Sequence, residues 1–173
     1  MNTSVFRIVV LLILVHTTVF SQSQNNLVPT ESRKEITKVL ELWHRAAATA
    51  DYDAYFGFMT KDAVFIGTDP TENWQNEAFR AYSKPHFDKG KAWTFTALER
   101  NVYVDSTEGM GWFDELLDTQ MGICRGSGIV QKIDSGWKIK HYVLSITLPN
   151  ANVKEVKAIK NTFDRDLKAK MAK

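Results

Sequence analysis

The sequence predicts an α+β fold in which helices cover one face of a strongly bent antiparallel sheet, with an extra helix at the C-terminus. Helical periodicity dominates the first half of the chain, whereas four segments rich in β-branched and aromatic residues follow one another between residues 91 and 148. Gly, Asp and Ser separate the last three segments, as is typical of consecutive antiparallel strands. Helices that precede such a sheet pack on one of its faces, and a bent, covered sheet leaves a conical space lined by aromatic side chains.

Residues 1–21 have the composition of a secretory signal peptide. Arg7 supplies a positive charge, residues 8–15 form an unbroken apolar run, and residues 19–21 have the side-chain sizes that a signal peptidase accepts. We expect cleavage after Ser21 and a mature protein that is secreted or periplasmic. The apolar run is too short for a bilayer core of ~30 Å, so we expect no stable membrane insertion after cleavage. Residues 22–30 begin with Gln, Ser and Asn and are predicted to be a flexible leader.

Two helices are predicted next. Ser32 and Glu35 form a capping-box pattern, and apolar residues then recur every three or four positions at Ile36, Val39, Leu40, Trp43 and Ala47. Asp51 can cap a second, short helix whose apolar residues are Tyr52, Tyr55, Phe56 and Met59.

A strand over residues 63–67 and a third helix follow. Asp69 is predicted to cap this helix, with Pro70 in its first turn and Glu72 returning to the cap, and the apolar pattern continues until Pro85. The segment 91–105 predicts a long strand with a bulge near residues 98–101, where the alternation changes phase.

The helix predicted over residues 151–173 carries one apolar stripe formed by Val153, Val156, Ile159, Phe163 and Leu167, and its other positions are rich in Lys. Two interpretations are open: a helix that packs on the domain with a solvated face, or a helix that contacts a membrane surface or a partner.

Composition excludes several classes of protein. The chain of 173 residues is 44% apolar, which suits one domain with a substantial core. Cys124 is the only cysteine, so no intramolecular disulfide is possible, and we expect it to be a small buried residue rather than a catalytic thiol. The net charge of +2 gives no support for nucleic-acid binding. The four His residues have no metal-ligand spacing and no phosphate loop is present, so no metal or cofactor is predicted.

Several segments together resemble a known family. They are Trp43 with Ala50-Asp51 and Tyr55-Phe56, then the stretch 64–74, Trp112-Phe113-Asp114-Glu115-Leu116, Cys124-Arg125-Gly126-Ser127-Gly128, and Trp137-Lys138-Ile139-Lys140-His141-Tyr142 with Pro149-Asn150. Over residues 32–150 the chain resembles the SnoaL-like branch of the nuclear transport factor 2-like superfamily. We therefore assign residues 31–150 to one SnoaL-like domain.

The resemblance implies a cone-shaped α+β barrel that is usually a homodimer through its convex sheet face. The family includes polyketide cyclases, ketosteroid isomerases, dehydratases and members without an assigned activity. Catalytic members place an Asp or a His in the cone, but the isomerase pairing of one Tyr with two Asp has no match in this sequence.

His141 is the first candidate for chemistry. Alternation along the last strand predicts that His141 faces the helices together with Trp137 and Ile139, while Lys138 and Lys140 face outward. It is then either a general acid or base, which its near-neutral intrinsic pKa would suit, or a hydrogen-bonded core residue.

Charged residues on the preceding strands are the other candidates. Asp114 and Glu115 lie on opposite faces of one strand, so only one of them can face the cone, and the sequence leaves open which one does. If Trp112 faces the cone, Asp114 joins it. Arg125 is predicted to be buried and paired with one of these acids, either as a structural ion pair or as the group that holds a ligand carboxylate.

These residues support two functional hypotheses. The first is a binding module for a small, partly apolar molecule, with the ligand-binding residues Arg125, Tyr55, Trp74, Trp112, Glu115 and Trp137. The alternative is an enzyme of the cyclase, isomerase or dehydratase kind that uses His141 or Asp114 as a general acid or base.

Overall fold

The computed structural model describes residues 31–105 and 109–172. Its elements, in chain order, are α1 (Glu31–Ala48), α2 (Tyr52–Gly57), β1 (Met59–Ile66), β2 (Asn73–Gln75), α3 (Asn76–Asp88), β3 (Phe95–Asp105), β4 (Met110–Thr119), β5 (Gly122–Ile133), β6 (Gly136–Ile146) and, after a short 3-10 turn, α4 (Val153–Met171). The predicted signal peptide and leader lie outside the described residues. No helix in the described part of the chain is long and apolar enough to cross a membrane.

Six strands form one curved, unclosed sheet in the order β2-β1-β6-β5-β4-β3. All neighbours are antiparallel except β1 and β6, which run parallel. The predicted α+β class is confirmed. The predicted bulge in the long strand is also present, because Ala97 pairs with Leu117 and Glu99 with Leu116, which leaves Leu98 as the extra residue.

Helix α1 lies against β3 and β6 and supplies much of the core. Its apolar face is buried as predicted: Ile36, Leu40 and Trp43 are fully buried. Ser32 lies inside the helix rather than at its cap, and Glu35 instead accepts a hydrogen bond from Trp137 Nε1 at 3.1 Å. Glu35 therefore links α1 to β6.

The predicted start of the third helix is wrong. The backbone N–H of Thr71 donates to Asp69 Oδ1 at 2.8 Å, and that of Asp69 donates to Glu72 Oε2 at 3.2 Å, but these bonds close a tight turn between β1 and β2. Helix α3 begins only at Asn76 and continues through Pro85 to Asp88. The same side-chain bonds that cap a helix can equally close a turn, so the capping pattern alone did not locate the helix.

Helix α4 has no buried residue. Ile159 is 81% exposed, and Val153 and Phe163 are also exposed. The interpretation of α4 as a helix packed on the domain is therefore wrong for the described residues.

Candidate functional site

The concave face of the sheet carries one row of inward side chains on β4 and another on β6. On β4 these are Phe113, Glu115 and Leu117, all of them buried. On the second half of β6 they are Tyr142 and Leu144, and the Tyr142 ring meets Trp43 of α1 edge-on at 4.8 Å. These rows and α1 together enclose the interior of the cone.

His141 lies on the opposite face of the sheet. Ile129 pairs with His141 and Val130 with Ile139, so Lys140 is an extra residue in β6. This bulge reverses the alternation, because Trp137 and Ile139 point inward before it whereas Tyr142 and Leu144 point inward after it. The prediction that His141 faces the helices is wrong, and Tyr142 occupies the place expected for it.

Arg125 and Asp114 also lie on the outer face. Arg125 Nη1 is 3.9 Å from Asp114 Oδ1, and their side chains are 56% and 35% exposed. The two residues do pair, as predicted, but not in a buried site. The expectation that Arg125 is buried in the cone fails because its strand neighbour Cys124 is the inward residue, with no exposed surface.

Trp112 is half exposed on the same outer face, where its ring stacks on that of Tyr103 at 5.7 Å. The prediction that Trp112 lines the cone is therefore wrong. The sequence left open whether Asp114 or Glu115 faces the cone. The residue that does so is Glu115, because Asp114 lies on the outer face together with Trp112.

Glu115 belongs to a buried cluster of charged groups inside the cone. Its Oε2 is 2.8 Å from Nε2 of His44 on α1 and 3.3 Å from Nη2 of Arg100 on β3. Glu115 is fully buried and His44 is 5% exposed. Arg100 Nη1 also donates to the carbonyl of Thr37 at 3.4 Å and lies 3.6 Å from Glu41 Oε1. The cluster therefore joins α1, β3 and β4.

The pKa of Glu115 is lowered in this setting. Burial alone would raise it, but the hydrogen bond and charge of His44, together with Arg100, outweigh that effect. Burial raises the pKa of Tyr142 well above its ordinary value, and the neighbouring charge of Glu115 adds to this rise. The interior thus holds a carboxylate next to a tyrosine that keeps its proton.

Several buried polar atoms in or beside this cluster have no hydrogen-bond partner among the described residues. They include Tyr142 Oη, the second carboxylate oxygen of Glu115, Arg100 Nε and Trp43 Nε1. The Tyr142 hydroxyl fits only because Gly126 faces it: a Cβ atom at Gly126 would overlap the hydroxyl and lie 3.0 Å from Tyr142 Cζ. Buried polar atoms with unused bonding capacity are suited to hold water or a polar ligand group.

A cavity of about 130 Å³ opens at one end of the cone, and we call it the mouth cavity. Its apolar wall consists of Phe65, Trp74, Phe79, Trp93, Phe95, Met121 and Leu144, and its polar wall includes Thr68, Glu72 and Gln120. Trp74 stacks on Tyr82 at 4.7 Å at the outer edge. The placement of Trp74 agrees with its predicted role, which stays a prediction.

A second hollow of about 410 Å³ lies between α1 and the start of β3, and we call it the α1–β3 groove. His44, Arg45 and Arg100 line it, together with Glu41, Ala48 and residues 94–97. Phe95 lines both hollows, and its ring meets the His44 ring edge-on at 5.6 Å. Because His44 and Arg100 line the groove, the charged cluster comes nearest to the surface there.

The other predicted ligand-binding residues are not exposed to either hollow. Tyr55 is buried behind the mouth cavity, where its ring contacts Trp93 at 5.6 Å. Trp137 is 4% exposed and is held by its bond to Glu35. The described residues contain no group of His, Cys, Asp and Glu that could hold a metal ion.

His44 is the residue that the sequence interpretation missed as a site candidate. It follows Leu40 by four positions, and helical spacing therefore places it on the buried face of α1. That spacing was the available signal, because an imidazole on an apolar helix face needs a buried partner.

The fold and the family follow from comparisons with known proteins. A family model described as a SnoaL-like domain matches residues 36–149, which confirms the resemblance predicted from the sequence. No curated protein matches the sequence significantly.

Solved structures with the same fold are distant in sequence. A putative aromatic ring hydroxylase from Novosphingobium aromaticivorans is 18% identical, with a TM-score of 0.59 over 69% of this chain and 91% of that chain. An NTF2-like protein from Cytophaga hutchinsonii is 14% identical, with a TM-score of 0.58 over 68% of this chain and all (100%) of that chain. The association domain of C. elegans CaMKII is 16% identical, with a TM-score of 0.53 over 66% and 95% of the two chains. At these identities the likeness shows the fold alone.

Proposed function

The chain belongs to the SnoaL-like domain family, and we propose that it binds a small, partly apolar molecule in the mouth cavity. The observation that supports this proposal is a hollow of about 130 Å³ in which aromatic side chains form half of the lining. An apolar cavity of roughly 150 Å³ accommodates a benzene-sized molecule. A molecule with one ring therefore matches the size of the mouth cavity.

Polar groups at the wall give such a ligand an orientation. Glu72 and Gln120 lie beside the aromatic surface, and both are tied to backbone N–H groups, Glu72 to that of Asp69 at 3.2 Å and Gln120 to that of Thr94 at 3.3 Å. A few fixed polar groups in an otherwise apolar pocket are what select one ligand among molecules of similar size.

Replacing Trp74 by alanine is expected to weaken ring binding at least tenfold, because it removes one of the aromatic side chains that line the mouth cavity. Toluene and phenol are suitable probes, with affinity measured by calorimetry or by titration of the protein NMR signals. Trp112→Ala is the matched control, since it removes an exposed indole on the opposite face of the sheet. Equal affinities in the two variants, or no binding of either probe by the unaltered protein, would contradict the proposal.

A second candidate is an enzyme of the cyclase, isomerase or dehydratase kind. The observation that favours it is the buried pair of His44 and Glu115, because a carboxylate bonded to one ring nitrogen orients the imidazole and leaves the second ring nitrogen for contact with a substrate. His44 then takes the role predicted for His141 or Asp114. A bound molecule recovered chemically unchanged after long incubation would argue against this candidate.

We also propose that two copies pair through the outer face of the sheet. Tyr103, Trp112 and Ile123 leave an exposed apolar surface there. Similarity to association domains is consistent with a homo-oligomer. Native mass spectrometry of protein from its own source tests the pairing, and a monomer would contradict it.

The mass of each chain also tests export, since cleavage after Ser21 leaves a chain that begins at Gln22.

A further inference from the structure

The mouth cavity and the α1–β3 groove are separated by very little protein. Trp93 lines the cavity, Thr94 lines the groove, and Phe95 lines both. Residues 91–94 have no regular secondary structure, and β3 begins only at Phe95. The Phe95 side chain is therefore the part of the wall that is common to the two hollows.

The two hollows differ in chemistry. Aromatic side chains form half of the mouth-cavity lining, whereas the groove presents the cationic side chains of Arg45 and Arg100 together with His44 and a single carboxylate, that of Glu41. Arg100 is already engaged by Glu115 and Glu41. Arg45 is exposed and makes no ion pair within the described part of the chain, so its charge is available to a ligand.

We infer that the mouth cavity and the α1–β3 groove are two ends of one ligand site, divided by the Phe95 side chain, and that the site takes an elongated molecule with a ring-sized apolar end and an anionic end. This inference rests on the proposed function, because the ring end occupies the mouth cavity. Rotation of the Phe95 ring away from His44 joins the hollows, and the anionic end then meets Arg45 and the His44 ring. Charge-assisted contacts to a guanidinium favour a carboxylate over a neutral alcohol of the same length.

Three probes separate the two ends of the site: toluene for the ring end alone, 3-phenylpropionate for both ends, and 3-phenylpropanol as the neutral match of the acid. Phe95→Ala is expected to tighten 3-phenylpropionate binding about tenfold relative to toluene. Phe95→Leu, which keeps an apolar wall but shortens it, is expected to give a smaller change in the same direction. Because both variants are compared through the ratio of two affinities, a general loss of stability does not produce the expected result.

Arg45→Gln tests the anionic end. It is expected to reduce the preference for the acid over the alcohol severalfold. Lys38→Gln is the matched control, because it removes one positive charge from the same side of α1 two turns away, roughly 10 Å along the helix axis. Equal effects of Arg45→Gln and Lys38→Gln, or no change in the affinity ratio in either Phe95 variant, would overturn the inference. If the inference fails but the unaltered protein binds toluene, the proposed function still stands. If the unaltered protein does not bind toluene, both the inference and the proposed function are overturned.

Discussion

Replacing Glu115 by alanine is expected to lower the free energy of unfolding by about 3–5 kcal/mol, which is typical when one partner of a buried ion pair is removed. The change leaves His44, which is 5% exposed, without its carboxylate partner. It also removes the 3.3 Å contact to Arg100, whose side chain is 10% exposed. Urea denaturation followed by tryptophan fluorescence measures the loss.

The neighbouring acid provides a control for this prediction. Asp114→Ala removes the same charge one position earlier in β4, where Asp114 lies 3.9 Å from Arg125 and accepts a hydrogen bond from Asn101 Nδ2 at 3.1 Å on the partly exposed outer face. The ion pair contributes roughly 0–1 kcal/mol and the hydrogen bond about 0.5–1.5 kcal/mol, so Asp114→Ala should cost clearly less than Glu115→Ala. Similar losses in the two variants would show that the buried cluster does not stabilise the fold more than a surface pair does.

The stability difference between the unaltered protein and Glu115→Gln should depend on pH. The pKa of Glu115 in the folded protein lies below its ordinary value of 4.5, so the folded state binds the proton less readily than the unfolded chain. The Glu115 charge therefore contributes to the free energy of unfolding above pH 4.5. This contribution is lost as the pH falls through the lower pKa of the folded state. A difference that grows on acidification would contradict the assignment of the charge to Glu115.

The choice of inward residues on β4 shows why the sequence predicts the fold better than the site. The alternating sets Trp112, Asp114, Leu116 and Phe113, Glu115, Leu117 each consist of an aromatic, an acid and a leucine. Hydrophobic alternation cannot distinguish them, and a shift by one residue exchanges the two faces. Only the pairing of β4 with its neighbours decides which acid is buried.

On β5 the sequence was sufficient to predict that Arg125 points outward. Cys124 was predicted to be buried, and neighbouring residues of a regular strand point to opposite faces, so Arg125 had to point outward. The two predictions were incompatible without a bulge, and the structure has none between them. On β6, by contrast, the bulge at Lys140 has no sequence signal, because His141 and Tyr142 are both compatible with a half-buried strand.

Gly126→Ala is expected to destabilise the protein by about 1–3 kcal/mol, the usual cost of adding a methyl group to a closely packed core. The new Cβ atom would overlap the Tyr142 hydroxyl and lie 3.2 Å from Leu117 Cδ1. Tyr142 and Leu117 are both fully buried, so neither side chain can move aside into solvent. Gly57→Ala is the matched control, since a Cβ atom there meets nothing within 4 Å, and it should have little effect or stabilise slightly.

A double-mutant cycle identifies the cause of the Gly126 effect. Tyr142→Phe alone should cost little, because the hydroxyl that it removes has no hydrogen-bond partner among the described residues. In the double variant, Tyr142→Phe removes the oxygen that overlaps the new methyl group of Ala at position 126 but leaves Cζ 3.0 Å from it. About half of the stability lost in Gly126→Ala should therefore be recovered. Recovery of this kind appears as a favourable interaction energy between the two substitutions. Strictly additive losses would mean that Gly126 is required by the strand backbone rather than by the tyrosine hydroxyl that lies beside Glu115.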